Sequence, residues 1–231
     1  AEPLLWVHSW SGVELLRDDC LMVVLMGRWP VLGEGKTRLA AEAGEAKAHE
    51  IHKLLFDHAL RAFASCPSGC VLAVTGLPDG MSLEAASGRL GLPVIPQRGE
   101  DLGARMLGAI ADASRLPTGD FPVTVVGTDL PTLTLAHVLR AERALELGAD
   151  AAAVPATDGG FGLMCMRHWP PDLWGRGMAW GTDRVWDQTQ VALRRRGLRC
   201  AVDDPVQDID TWADWVAFCQ KHPTFASYGS K

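Results

Sequence analysis

Five short runs of mostly branched apolar residues constrain this chain more than any other feature. They are "CLMVVLM" (20–26), "CVLAVTG" (70–76), "FPVTVVGTD" (121–129), "AAAVPAT" (151–157) and "LRCAVDD" (198–204). Each is nearly continuous in apolar character, the pattern of a strand buried on both faces. Between them the apolar residues recur at helical spacing: over 36–64, as one helix or two broken near Gly44, then over 81–88, 102–114, 134–147 and 185–196. "LPVIPQ" (92–97) reads as a brief further strand, 161–166 as an apolar run, and 212–220 as a last helix. Alternating strands and helices predict an α/β fold, a mostly parallel sheet with helices on both faces.

The chain has 231 residues, of which 48% are hydrophobic, enough for a core without disulfides or structural metal. Its net charge of −6 argues against a nucleic-acid partner, which calls for a basic surface. Six cysteines without regular spacing, the closest pair being Cys66 and Cys70, read as reduced thiols. No apolar stretch approaches a membrane span and no leader pattern is seen at the start, so the expected location is cytoplasmic, with no membrane partner. The expected organisation is an extension (1–20), one domain (21–222) and a tail (223–231).

Polar residues gather at the strand ends, where open α/β sheets bind ligands. After the first strand comes "GRWPVLGEGKTRLA". Gly33 and Gly35 let a ligand approach the backbone, Thr37 opens a helix, and Lys36 and Arg38 add charge suited to phosphate. The loop meets a Walker A pattern only in part, since Pro30 stands where glycine is required. Asp129, just past a strand, is placed either to hold Mg2+ or Mn2+ against a diphosphate or to cap the next helix. In "QDIDTW" Asp210 is a second candidate metal ligand, with Asp208 supporting it or facing away; helix capping by Asp210 or Thr211 is the alternative. Asp158, followed by Gly159, Gly160 and Phe161, marks a tight turn or a ligand contact. In "IPQRGEDLGARM", Gln97 is suited to reading a base edge, with Asp101 or Arg105 on sugar or phosphate; a solvated Asp101-to-Arg105 helical pair is the plainer reading. Trp174, Trp180 and Trp186 read as ordinary packing, with an acceptor pocket or a contact within a homo-oligomer as alternatives.

Taken in order, "GKTRLA", "QRGEDLGARM", "GTDLPTLT", "DGGFGLM", "WGTDRVWDQT" and "DIDTWADW" resemble a bacterial family of glycosyltransferase-A-like proteins. Its members are named nucleotide-diphospho-sugar transferases and sometimes assigned to arsenosugar biosynthesis. The resemblance spans about residues 21–220. It implies a Rossmann-like nucleotide-diphospho-sugar transferase fold, related to molybdenum-cofactor and phospholactate guanylyltransferases. It places Lys36 and Arg38 on phosphates, Gln97 on the nucleotide, Asp129 and Asp210 on the metal, and Asp158 on the acceptor side, with Lys36, Asp129 and Asp158 carrying the catalysis. Two departures stand out: Trp29 and the acidic Glu34 within the first loop, and Gly162 where relatives carry a second aromatic residue.

The expected activity is metal-dependent transfer of a sugar from a nucleotide sugar to a small acceptor. The second reading is nucleotidyl transfer from a nucleoside triphosphate to a phosphorylated small molecule, with release of pyrophosphate; a lone Asp129 in place of an Asp-x-Asp pair points that way. The third is a non-catalytic nucleotide-binding protein.

Overall fold

The computed structural model describes residues 22–66, 69–115 and 121–226; the expected extension at 1–20 and most of the expected tail lie outside these. Strand β1 (Met22–Arg28) is followed by two helices, α1 (Thr37–Ala43) and α2 (Glu45–Phe63), broken at Gly44, whose φ of 83° few other residues adopt. Then come β2 (Cys70–Thr75), α3 (Leu83–Leu90), β3 (Val94–Pro96), α4 (Leu102–Ala113) and β4 (Val123–Gly127). The second half contains α5 (Leu135–Glu146), β5 (Ala151–Pro155), β6 (Phe161–Met166), α6 (Val185–Arg195), β7 (Cys200–Val202), α7 (Trp212–Lys221) and the short α8 (Pro223–Ala226).

The seven strands form one sheet in the order β3-β2-β1-β4-β6-β5-β7. Only β6 runs against the others, pairing antiparallel with both β4 and β5. The apolar run 161–166 is therefore a reversed strand, joined to β5 by the "TDGG" turn as a hairpin, which strand-helix alternation does not announce. The mostly parallel α/β sheet expected from the sequence is otherwise what forms.

Successive residues of each strand feed opposite layers. Val23, Leu25, Leu72 and Val74 pack beneath α2 and α5, against Phe56, Phe63 and Val138. Met22, Val24, Val71 and Ala73 pack against Met106, Ala109 and Ile110 of α4 and Leu193 of α6. Continuous apolar runs were needed because both faces are covered, and each fully buried Val, Leu or Phe contributes about 1.5–3 kcal/mol. A third cluster joins Leu39, Ile51 and Leu55 of α1 and α2 to Ile209, Trp215 and Phe218, and so ties the "DIDT" loop to the helices behind the Lys36 loop. The five described cysteines are free thiols. Among the described residues no helix is long and apolar enough to cross a membrane.

Candidate functional site

At the carboxyl edge of β1 and β4 three loops converge on one ammonium group. Lys36 precedes α1 with a φ of 47°, the sole non-glycine residue at positive φ among the described residues. This conformation costs a side-chain-bearing residue about 1–2 kcal/mol. It turns the lysine inward: its side chain is 5% exposed, with Nζ 3.0 Å from Asp129 Oδ2 and 3.6 Å from Asp210 Oδ1. Nζ also donates to the Ile209 carbonyl, while the Ile209 N–H donates to the Asp129 carbonyl at 3.0 Å. Fully buried Ile209 anchors the loop, leaving Asp208 and Asp210 on either side of it free to reach different neighbours. Arg38, whose side chain is 67% exposed, takes the other oxygen of Asp210 at 3.1 Å.

The capping alternatives for both aspartates are thereby resolved. Helix α5 is capped by Thr134 with His137, and α7 by Thr211 with Asp214, so Asp129 and Asp210 are left to the lysine. Behind the cluster lies His52, buried on α2, whose pKa is lowered first by burial, with Asp129 opposing and the Lys36 charge adding to the fall.

Beside this cluster opens a pocket of about 280 Å³. Asp129, Asp158 and Asp208 supply its carboxylates, Thr128 and Thr182 its hydroxyls, and Met26, Met106, Leu130, Phe161 and Trp180 much of its apolar wall. Among the described residues no lysine or arginine lines it. Burial, together with the charges of Asp158 and then Asp210, pushes the Asp208 carboxyl up to about 6, and Lys36 only partly offsets this. Phe161 stacks on Trp174 with centroids 5.7 Å apart, and Trp180 meets Trp174 edge-on at the same spacing. Trp174 is itself buried, its indole N–H donating to Thr189 Oγ1, so it backs the wall rather than forming it.

The "DGG" turn is both a tight turn and a wall of this pocket. Asp158 Oδ1 accepts from the Gly160 N–H at 2.8 Å, and a side chain at Gly159 would lie 2.2 Å from the Asp183 carbonyl oxygen. Only glycine admits that approach, which locks the turn against the start of α6, where the Trp186 N–H donates to the Gly159 carbonyl.

Other sequence candidates have structural duties. Gln97 donates through Nε2 to the carbonyls of Gly27 and Ala73, both at 2.9 Å, pinning together the ends of β1 and β2. Its amide N–H groups are therefore engaged with the backbone, which leaves the expected nucleotide contact to its Oε1. Asp101 caps α4 by accepting from the Ala104 N–H, and Arg105 donates to the Gly99 carbonyl, so the two do not form the expected helical pair. Gly33, Gly35 and Thr37 line a separate hollow of about 290 Å³ with Glu45 and His49. Glu34 pairs with Arg28 and so neutralises part of the loop's charge. The residue underrated in sequence is Asp208. The signal for it was the alternation in "DID", where a buried central isoleucine turns both neighbours toward the site.

A divalent cation suits this donor set. Asp129 Oδ1 is buried with no hydrogen-bond partner, and the gap between Asp129 and Asp210 already holds a cationic group. Among the described residues no three or more His, Cys, Asp or Glu side chains form a ready-made metal cage. Asp129 and Asp210 alone would therefore hold Mg2+ or Mn2+ only with substrate phosphates completing the coordination.

Residues 60–182 match the family described as "Uncharacterized protein conserved in bacteria (DUF2064)". The chain belongs to this family. No curated protein matches it. Among solved structures, the "putative nucleotide-diphospho-sugar transferase" of Desulfovibrio desulfuricans G20 is 26% identical, with 87% of each chain covered and a TM-score of 0.77. The 4-diphosphocytidyl-2C-methyl-D-erythritol synthase of Anaerococcus prevotii DSM 20548 is 11% identical over 87% of this chain and 99% of its own, with a TM-score of 0.53. A cytidylyltransferase of Leptospira borgpetersenii serovar Hardjo-bovis is 12% identical over 89% and 96%, with a TM-score of 0.51. These last two share the fold alone. This DUF2064 chain thus has the nucleotide-diphospho-sugar transferase fold that its motifs resemble.

Proposed function

We propose that the protein is a metal-dependent glycosyltransferase that moves a sugar from a nucleoside-diphosphate donor to a small uncharged, hydroxyl-bearing acceptor. The observation that carries this reading is the pocket beside Lys36, which combines three aspartates with an aromatic wall and, among the described residues, has no basic one. Carboxylates accept hydrogen bonds from hydroxyl groups, and Phe161 and Trp180 offer flat faces to the apolar side of a ring. The same carboxylates would repel a phosphorylated acceptor, which nucleotidyl transfer to a phosphate requires. The 26% identity to a protein named as a nucleotide-sugar transferase points the same way.

In the proposed reaction the acceptor hydroxyl oxygen bonds to the anomeric carbon as the bond from that carbon to the diphosphate breaks. A pocket carboxylate, Asp158 or Asp208, takes the hydroxyl proton, and the nucleoside diphosphate departs. Lys36 and the exposed Arg38 stabilise the charge that builds on the leaving group. Asp129 and Asp210 would hold Mg2+ or Mn2+, which supplies further charge neutralisation there.

The test is to incubate the protein with Mg2+ or Mn2+, a panel of nucleotide sugars and neutral polyols, and to measure released nucleoside diphosphate. Turnover with a nucleotide sugar and a neutral acceptor is expected. Pyrophosphate release from a nucleoside triphosphate and a phosphorylated acceptor, with no turnover of nucleotide sugars, refutes the assignment and favours nucleotidyl transfer.

A further inference from the structure

Lys36 occupies the place that an incoming cation would need. Its ammonium has three donors, and Asp129 Oδ2, Asp210 Oδ1 and the Ile209 carbonyl face all three. The side chain is almost wholly buried and the backbone behind it is held in a left-handed conformation, so this is a fixed placement rather than one rotamer of a waving surface lysine. A divalent cation and an ammonium cannot share a gap a few ångströms wide, because like charges repel strongly wherever water is scarce.

We propose that Lys36 is a built-in counter-ion that excludes divalent metal from the free protein, and that a nucleotide's diphosphate admits the metal by drawing the ammonium away. This rests on the metal-dependent reading above. A bare metal ion must strip Lys36 of three partners and offers it none in return. A diphosphate offers new anionic partners to Lys36, and its oxygens fill coordination positions that the protein's two carboxylates leave open. Metal and nucleotide therefore bind with positive coupling, and by linkage each raises the affinity for the other by the same factor. Asp129 Oδ1, buried and without a partner, is the atom that gains most from the exchange.

The experiment is Mn2+ titration followed by electron paramagnetic resonance, on the wild-type protein and on Lys36→Gly, without nucleotide. Glycine adopts a φ near 47° without strain, so the loop keeps its path while the ammonium is lost. Should Lys36→Gly fail to fold, judged by circular dichroism, Lys36→Gln carries the same comparison.

Wild type is expected to bind Mn2+ weakly and Lys36→Gly about tenfold or more tightly than wild type, within the usual range of coupling between two ligands. The gain should vanish in Lys36→Gly/Asp129→Asn. Adding each of the four common ribonucleoside diphosphates in turn should restore a protein-bound Mn2+ signal to wild type with at least one of them. Equal affinity of wild type and Lys36→Gly for Mn2+ alone overturns the exclusion and leaves metal dependence standing. No protein-bound Mn2+ in any variant, with or without diphosphate, overturns both.

Discussion

Replacing Asp208 with asparagine should stabilise the ligand-free protein, and should do so only above a certain pH. Asp208 is pushed from the ordinary aspartate value of 3.8 up to about 6 by burial and by the charges of Asp158 and Asp210. A carboxyl whose pKa is higher folded than unfolded holds its proton more tightly in the folded state. Its stabilising share is complete below pH 3.8 and is lost as pH rises through about 6. The whole displacement corresponds to about 3 kcal/mol at the limit. Asp208 is only partly buried, so solvent screening reduces this to about 1–2 kcal/mol. Urea unfolding of wild type and Asp208→Asn in EDTA, from pH 4 to pH 8, should show the variant gaining about 1–2 kcal/mol on wild type across that range, most of it between about pH 4 and pH 6. In thermal melts the gain corresponds to roughly 2–4 °C per kcal/mol for a domain of this size. A stability difference between the two proteins that does not change with pH would show that the aspartates do not crowd one another.

Three further substitutions probe other layers of the site. Asp129→Ala should lower kcat by at least about 100-fold, with a circular dichroism spectrum like wild type; full activity in a folded variant would remove Asp129 from the site. Trp180→Ala should raise the acceptor KM and leave the donor KM within about twofold, since Trp180 lines the pocket proposed for the acceptor, which meets the Lys36 cluster through Asp129; a matching rise in donor KM would contradict the division of the site. Ile209→Ala should cost about 2–5 kcal/mol in urea unfolding, because a fully buried side chain is truncated; a loss below 1 kcal/mol would mean that the "DIDT" loop is not anchored through it.

The buried strands were the most legible part of the sequence, because a strand covered on both faces must be nearly continuous in apolar character, and β1, β2 and β4 are, apart from Thr124 and the polar ends Arg28 and Thr75. The break at Gly44 was legible as one of two readings, since glycine permits but does not require the φ of 83° through which a helix cannot pass. The reversed direction of β6 was not, because Phe161–Met166 would look the same running either way; direction is fixed by a two-glycine turn too short for a crossover. Within the site, the meeting of Lys36, Asp129 and Asp210 was anticipated as a set of residues, but not as a lysine lodged between two carboxylates. That depends on one left-handed backbone angle, and nothing in the letter K announces it. The tie that Gln97 makes between two carbonyls was not legible, because a glutamine that pins strands and one that reads a base are the same residue until the neighbouring strand ends are in place.

The reversed strand has a consequence for how such a protein can change. In the parallel part of the sheet, every loop at the carboxyl edge leads on to the next crossover, so lengthening one tends to move the packing behind it. The β5–β6 hairpin reaches the same edge by a turn of its own, which carries Asp158 and Phe161, is clamped to α6 through Gly159 and returns directly into the sheet. Exchanges at Asp158 or Phe161 keep the hairpin's path as long as Gly159 and Gly162, which pack against Asp183 and Leu130, stay glycine. Under the proposed function the residues facing the acceptor sit on a turn whose course is set by its glycines, so a new recipient for the same activated group calls for changes beside those glycines rather than at them.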